Sequence, residues 1–396
     1  MPTESTFLFA GLLFLAAALG YVFARFGDTD EEEEAEEKTR ASFLRGFRYL
    51  LNEESDRAVD VFTEVGDLSD DAMDTQLALG TLFRRRGEME RAIRLHQNLV
   101  DRPRSSPAQR EAASFALAED YLSSGLFDRA EDLFNSLRNS RVHGPESIRC
   151  LLRICEVTSD WDRAVDLCAE INRVEPGGVH PGQISHYYCE LAEQARREQG
   201  SDVARRLLDQ ARAVDPLNVR AVLIQADLAA DAHGGATAVQ SLVSLAMAQP
   251  DLLGEVLPRL LMLAEGGNRE RIADVLQELA GKPNGLRGIA LAVIRDNRIT
   301  DPLAVQYLAV FLAGQPAMRA LLVGEQAGAR PSMEAVQRLR PLLNKVLAAS
   351  ARYQCSNCGY GSAAMHWQCP GCRTWGSVRP VSPSGMEALL TEPVSA

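Results

Sequence analysis

One eight-residue phrase returns along this chain at nearly constant spacing. SDRAVDVF around Ala58 recurs as MERAIRLH at Ala92, FDRAEDLF at Ala130, WDRAVDLC at Ala164 and SDVARRLL at Ala204. The intervals are 34, 38, 34 and 40 residues. Twelve residues before each alanine stands a small or apolar residue: Gly46, Gly80, Ala118, Leu152 and Ala192. Three residues after the first three of these come Tyr49, Phe83 and Tyr121. Proline follows the later alanines by twelve, as Pro176 after Ala164, Pro216 after Ala204 and Pro250 after Ala238. Within each unit apolar residues fall at i, i+3, i+4 and i+7, so each unit makes amphipathic helices that only a neighbouring unit can cover.

This is the tetratricopeptide layout, and each position has a physical reason. Small residues let the first helix of a hairpin (helix A) cross the second (helix B) closely, and aromatics fill the gap to the next unit. Proline ends helix B because it cannot donate the next helical hydrogen bond. Past Pro250 the pattern is weaker. Ala273 and Ala304 anchor further hairpins, with Pro316 twelve residues after Ala304, and a last helical pair runs from Ala317 through Ser350, interrupted near Gly328 to Pro331. The expectation is an all-α solenoid of eight or nine hairpins in a right-handed superhelix, with strands confined to the C-terminal end.

Four of the eight cysteines lie at that end, Cys355, Cys358, Cys369 and Cys372, spaced C-x2-C-x10-C-x2-C. Two such knuckles bring four thiolates onto one tetrahedral ion, zinc or the iron of a rubredoxin-type centre. Gly359, Pro370 and Gly371 supply turn chemistry around the ligands. Two structural disulfides or a redox pair are the competing readings. His366, three residues before Cys369, reads as a neighbour of the ligands or as a ligand itself. Cys150, Cys155, Cys168 and Cys189 fall in helical patterns and read as small buried apolar residues. The four-cysteine module is placed to cover the last helical unit.

The N-terminal end carries a different signal. Phe7 to Ala24 is uncharged and rich in Phe, Leu and Ala, between Glu4 and Arg25. Its 18 residues suffice for a membrane helix, since about 20 cross the hydrocarbon core. A cleaved signal peptide would need a basic start, which this chain lacks. Arg25 and the reduced cysteines both put the body on the cytoplasmic side. Asp28 to Glu37 then holds eight carboxylates and no base, and so supplies −8 of the formal charge of −12. That run reads as a solvated spacer, with an acidic docking segment as the alternative. The remaining charge gives no support for nucleic-acid binding. The expected organisation is a transmembrane anchor (1–27), an acidic juxtamembrane tether (28–40), the solenoid (41–350), the metal module (351–380) and a flexible tail (381–396).

No G-x-x-x-x-G-K-[ST], H-E-x-x-H or G-x-S-x-G run is present, so the chain reads as a binding protein and not an enzyme. In the repeat phase, helix-A side chains around the small residue face the inner surface. They are Thr81, Arg84 and Arg85, then Arg149, Arg153 and Glu156, then His186, Glu193, Arg196 and Arg197. Together they suit an acidic or amphipathic peptide, while a merely solvated face is the plain alternative. Arg84, Arg85 and Arg86 also complement a helix C-terminus.

Taken as a whole the chain resembles the lipopolysaccharide assembly protein B family, bacterial inner-membrane proteins with tetratricopeptide repeats and a rubredoxin-like tail. The resemblance rests on GTLFRRRGEMERAIRLHQNL, YLSSGLFDRAEDLFNSL, HYYCELA and RYQCSNCGY…WQCPGCRTW. It implies that Cys355, Cys358, Cys369 and Cys372 hold one metal ion. It also implies a non-enzymatic adaptor that couples a membrane-anchored AAA protease to the UDP-acyl-N-acetylglucosamine deacetylase committing precursor to lipid A. An inner-membrane lipopolysaccharide sensor protein is a further implied partner, and a homo-oligomer is left open. The acidic segment and the tail after Pro380 depart from the family pattern. Two other functional classes stand beside this one: a general tetratricopeptide scaffold or co-chaperone, and electron transfer through a rubredoxin-like iron.

Overall fold

The structure is a computed structural model that describes residues 70–103, 105–231, 235–264, 268–315, 332–348 and 351–381, with scattered positions between 14 and 61. The anchor segment, the acidic tether, Ala58, Pro316, the region 317–331 and the tail from 382 onward fall outside the described residues or are described only at isolated positions. Among the described residues no helix is long and apolar enough to cross a membrane.

The chain divides into two compact units, residues 1–159 and 160–396. In the first, helices follow the repeat: α1 (Asp70–Arg85), α2 (Met89–Val100), α3 (Pro107–Ser123), α4 (Phe127–Leu137) and α5 (Gly144–Thr158). In the hairpin of α1 and α2, helix A and helix B meet at the small residue Gly80. Gly80 is the tightest crossing, since a Cβ there would lie 2.2 Å from Nε2 of His96 on α2. The imidazole is fully buried and held at both nitrogens, with Nδ1 against the buried Asp120 carboxylate and Nε2 3.2 Å from the Leu77 carbonyl. Asp120 and Glu119 also accept from Arg84 at 2.8 and 2.7 Å, which ties α1 to α3. Tyr49 packs on the Leu79, Phe83, Ala92 and Leu95 cluster, as an aromatic joining successive units should.

The turns between helices use one device the repeat pattern left unread. Gly87, Gly125 and Ser159, each five residues before the repeat alanine, have φ of 81°, 76° and 61°. A left-handed residue ends helix A and lets the chain reverse; glycine adopts it without penalty, and Ser159 does so less readily. Starts are set by caps. Ser106 and Gln109 form a reciprocal capping box ahead of α3, with Pro107 at its first turn.

The second unit contains α6 (Trp161–Val174), α7 (Pro181–Glu198), α8 (Ser201–Val214), α9 (Val219–Asp231) and α10 (Ala236–Ala248). A 3-10 turn (Pro250–Leu252) leads into α11 (Leu253–Leu263), α12 (Arg269–Ala280), α13 (Gly285–Arg295), α14 (Pro302–Ala313) and α15 (Met333–Ala348). Helices α6, α8 and α10 each stop two residues before Pro176, Pro216 and Pro250, because the residue before proline is pushed out of the helical region. The alanines Ala92, Ala130, Ala164, Ala204 and Ala304 are fully buried. Ala273 is not the anchor of α12. Its neighbour Ile272 is buried with Val275, Leu276 and Leu279, so the register there is one residue earlier than the alanine pattern implied. A continuous apolar core runs from Val219 to Leu347.

Three short antiparallel strands close the chain, β1 (Tyr353–Cys355), β2 (Gly361–Ser362) and β3 (Val378–Pro380), in the order β2-β1-β3. Tyr353 pairs with both Ser362 and Pro380, and Cys355 with Val378. Among the described residues these are the only strands.

The Gly80 crossing makes a direct prediction. Gly80→Ala drives a methyl into a ring that Asp120 and Leu77 hold in place. It should lower unfolding free energy by about 1–3 kcal/mol, the range for overpacking a tight core. Urea denaturation checks this, and an unchanged midpoint would mean that the helices separate freely.

Candidate metal centre

Each cysteine knuckle is built by the same backbone turn. In the first, Gly359 N–H donates to the Cys355 carbonyl at 3.0 Å and Cys355 N–H to the Tyr360 carbonyl at 2.9 Å. In the second, Arg373 N–H donates to Cys369 at 2.8 Å and Cys369 N–H to Thr374 at 3.0 Å. The residue after each second cysteine is left-handed, Gly359 at φ 78° and Arg373 at φ 58°. In the second knuckle the curl therefore falls on Arg373 and not on Pro370 or Gly371.

The four Sγ atoms lie within 4.8 Å of one another. Cys355 and Cys372 are 3.7 Å apart, Cys358 and Cys369 3.6 Å. Four thiolates about 2.3 Å from a tetrahedral ion would stand about 3.8 Å apart, whereas a disulfide brings sulfurs to about 2.05 Å. All eight cysteines are free thiols, so the disulfide reading is excluded. The donor set fits one zinc or iron ion, which would cross-link the two knuckles.

Polar neighbours favour the thiolate form at Cys372 and Cys355, whereas the Cys358 thiol, facing the other three sulfurs, is pushed up to about 12. Thr374 Oγ1 stands 3.3 Å from Cys372 Sγ, and the Asn357 amide donates to Thr374 Oγ1 at 3.1 Å. The Thr374 hydroxyl and then Asn357 hold the Cys372 thiol down at about 5. Ser377, 3.3 Å from Cys355 Sγ, lowers Cys355. His366 is not among the ligands. Its Nε2 is 3.0 Å from Ser362 Oγ and its ring meets Tyr360 edge-on.

The expectation that the module covers the last helical unit, 317–350, falls partly outside the described residues. Within the second unit the module folds back onto α6, α7, α9 and α11. Trp375 stacks on His186 with centroids 5.3 Å apart and meets Tyr187 and Trp161 edge-on at 5.6 and 6.0 Å. Trp367 lies 6.0 Å from the His186 ring, with the Arg220 guanidinium 5.9 Å from its own centroid. Gly376 approaches so closely that a Cβ would lie 3.2 Å from His186 Nε2. At the strand edge, Arg352 donates to Glu255 on α11 at 3.1 Å and the Tyr353 hydroxyl donates to the same carboxylate. Burial, then Glu255, pushes the Tyr353 hydroxyl up, which keeps it a donor. Aromatic area explains the location: a small ribbon cannot cover its own tryptophans, and each indole buries a large surface against a neighbour.

The residues expected to face a partner have separate fates. His186 is buried under Trp375 at 6% exposure and is no free contact. Arg84 is engaged by Glu119 and Asp120. Thr81 Oγ1 donates to the Leu77 carbonyl at 2.9 Å. Arg85, Arg153, Arg196 and Arg197 are exposed; Arg149, Glu156 and Glu193 are half-buried. These residues divide between the two compact units. The repeat phase missed Trp161, Tyr187, Arg220, Glu255, Trp367 and Trp375. One signal was available: the chain has three tryptophans, and two flank the second knuckle.

Comparison with known proteins agrees with this construction. Residues 353–380 match the model of the rubredoxin metal binding domain, and residues 77–110 match a tetratricopeptide repeat. Lipopolysaccharide assembly protein B of Escherichia coli (strain K12) is 30% identical over 388 residues, covering 96% of this chain and 98% of that protein. The chain belongs to the lipopolysaccharide assembly protein B family. The Haemophilus influenzae protein of the same name is 29% identical over 94% of this chain and 97% of its own length. The family's rubredoxin-type site for one metal ion is carried here by the four clustered cysteines.

Two predictions follow from the geometry. Replacing Cys355 and Cys358 together by Ser should abolish bound metal, measured by elemental analysis, and red-shift tryptophan emission as Trp367 and Trp375 lose their cover. The helical circular dichroism should largely remain. Stoichiometric metal in that variant would contradict the ligand set.

The second concerns acid. His186 is held neutral: burial first, then Arg220 and Arg379, lowers it from 6.5 to about 3. The unfolded chain therefore binds a proton that the folded chain refuses. The stability of the docked state is complete above pH 6.5 and falls as pH drops toward 3. The loss is up to about 2 kcal/mol between pH 6.5 and 5. The melting temperature of the wild type should drop more steeply over that interval than that of His186→Gln; parallel slopes would remove His186 as the cause.

Proposed function

We propose that this protein is a membrane-tethered, non-enzymatic adaptor in the control of lipopolysaccharide biosynthesis. The observation that carries this reading is the family relationship, which extends over nearly the whole chain and includes both the repeats and the metal module. Tetratricopeptide hairpins present side chains along stacked helices and suit protein recognition better than chemistry. In this reading the uncharged run 7–24 anchors the chain in the inner membrane, with the body cytoplasmic and the acidic run 28–37 holding it off anionic lipid.

In this reading the adaptor delivers the UDP-acyl-N-acetylglucosamine deacetylase to a membrane-anchored AAA protease, so that excess enzyme is degraded. An inner-membrane lipopolysaccharide sensor sets how much is delivered. The exposed cations Arg85, Arg153 and Arg197 are the side chains this reading assigns to an acidic partner surface. His186 and Arg84 contribute through the fold alone.

Depletion in the native bacterium tests the reading. The deacetylase should accumulate several-fold and its half-life lengthen, as followed by immunoblot after translation is stopped. Unchanged level and turnover would sink the adaptor role. Loss of many unrelated membrane complexes instead would mark a general scaffold.

A further inference from the structure

Between the metal module and the helices of the second unit lies a polar cavity that the adaptor reading does not use. It holds about 130 Å³, and a broader hollow of about 580 Å³ shares Gly254, Glu255, Arg295 and Arg352 with it. Its floor is one stripe of α13, where Arg287, Gly288, Leu291, Ala292 and Arg295 follow the helical repeat. Gly288 and Ala292 stand between two arginines that lie two turns apart. Gly288 has no room for a side chain, since a Cβ would stand 2.9 Å from Leu253 Cδ1. Arg352, the residue before β1, also lines it, and a Cβ on Gly254 would come within 3.1 Å of its Nη2.

Among the described residues, one of the arginines lining this cavity has no acid to match it. Of the cavity's two acids, Glu255 already accepts from both Arg352 and Tyr353, and Asp251 is exposed at the rim. In the broader hollow Arg259 is paired with Asp227 at 2.7 Å and Arg298 with Asp296 at 2.8 Å. Arg295 has no such match. Its Nη2 is enclosed yet makes no hydrogen bond. Burial, then the neighbouring Arg352, lowers its affinity for its proton. A buried guanidinium N–H without an acceptor is an expensive arrangement, and an oxyanion in the cavity would supply one.

We propose that this cavity binds the phosphate group of a phosphorylated small molecule, cradled by Arg287 and Arg295 from α13 and by Arg352 from the metal module, with the remainder of the ligand in the adjoining hollow. Guanidinium groups from two different segments suit the tetrahedral oxygens of phosphate, where a flat carboxylate would engage one fork only. Because one ligand group would touch both α13 and β1, occupancy would also strengthen the hold of the helices on the module. The inference is independent of the adaptor reading.

Titration of the full-length, metal-loaded protein in neutral detergent tests it, with inorganic phosphate as the probe and ionic strength held constant with sodium chloride. The expected result is a saturable rise in melting temperature, with at least tenfold more phosphate needed for Arg295→Gln. Arg298→Gln, whose side chain pairs with Asp296 outside the smaller cavity, should respond as wild type does. Glucose 1-phosphate and short-chain phosphatidic acid, used below its micelle concentration, then distinguish a soluble phosphate ester from a lipid headgroup; preference for either supports the site. If circular dichroism shows Arg295→Gln misfolded, Arg287→Gln is judged by the same criterion. No effect of phosphate beyond chloride, or equal responses in wild type and the cavity variants, would overturn the proposal.

Discussion

The close crossing of paired helices is the contact on which the helical units depend. An amphipathic helix of 11 to 18 residues has little stability alone in water, and its apolar face must be covered by a neighbour. Gly80 against His96, and the buried alanines of the successive B helices, set how near two helices can come. That spacing lets Phe83 and Tyr121 fill the next gap, and it brings Arg84 and His96 within reach of one buried carboxylate. A polar network so enclosed specifies register because each member left unsatisfied would be costly.

The metal module depends on a second constraint. Two identical backbone turns aim four thiols at one point, and a bound ion would hold together a ribbon too small to own a core. That smallness also explains why its tryptophans face outward. Trp375 finds cover between His186, Tyr187 and Trp161, and Trp367 beneath Arg220. The module is thereby an integral part of the second unit. Glu255 fixes its other edge through Arg352 and Tyr353, and the same arrangement opens the arginine-lined cavity beside α13.

Much of this was legible in residue order, and the failures are instructive. Proline positions foretold the ends of α6, α8 and α10 to within two residues because the restriction acts on the adjoining backbone. The alanine phase held through Ala204 and Ala304 but slipped by one at Ala273, where Ile272 packs inward. Beyond Pro250 the helices are richer in leucine, so more than one stripe is apolar enough to be buried. Helix-A phase also placed His186 on an open face. A segment nearly 190 residues later covers it.

Sequence alone determined the hairpin repeat, the proline-set helix ends and the four metal ligands, because each is written in neighbouring residues through helical periodicity, proline stereochemistry and knuckle spacing. Only the tertiary structure decided where the module docks, which arginines are exposed and that an Arg295 N–H is left without an acceptor. Those outcomes rest on pairings between distant segments, such as Trp375 with His186 and Arg352 with Glu255. Closing so long a loop costs little more than closing a shorter one, so chain separation does not select the partner. Shape, aromatic area and charge match at the meeting surfaces make that choice.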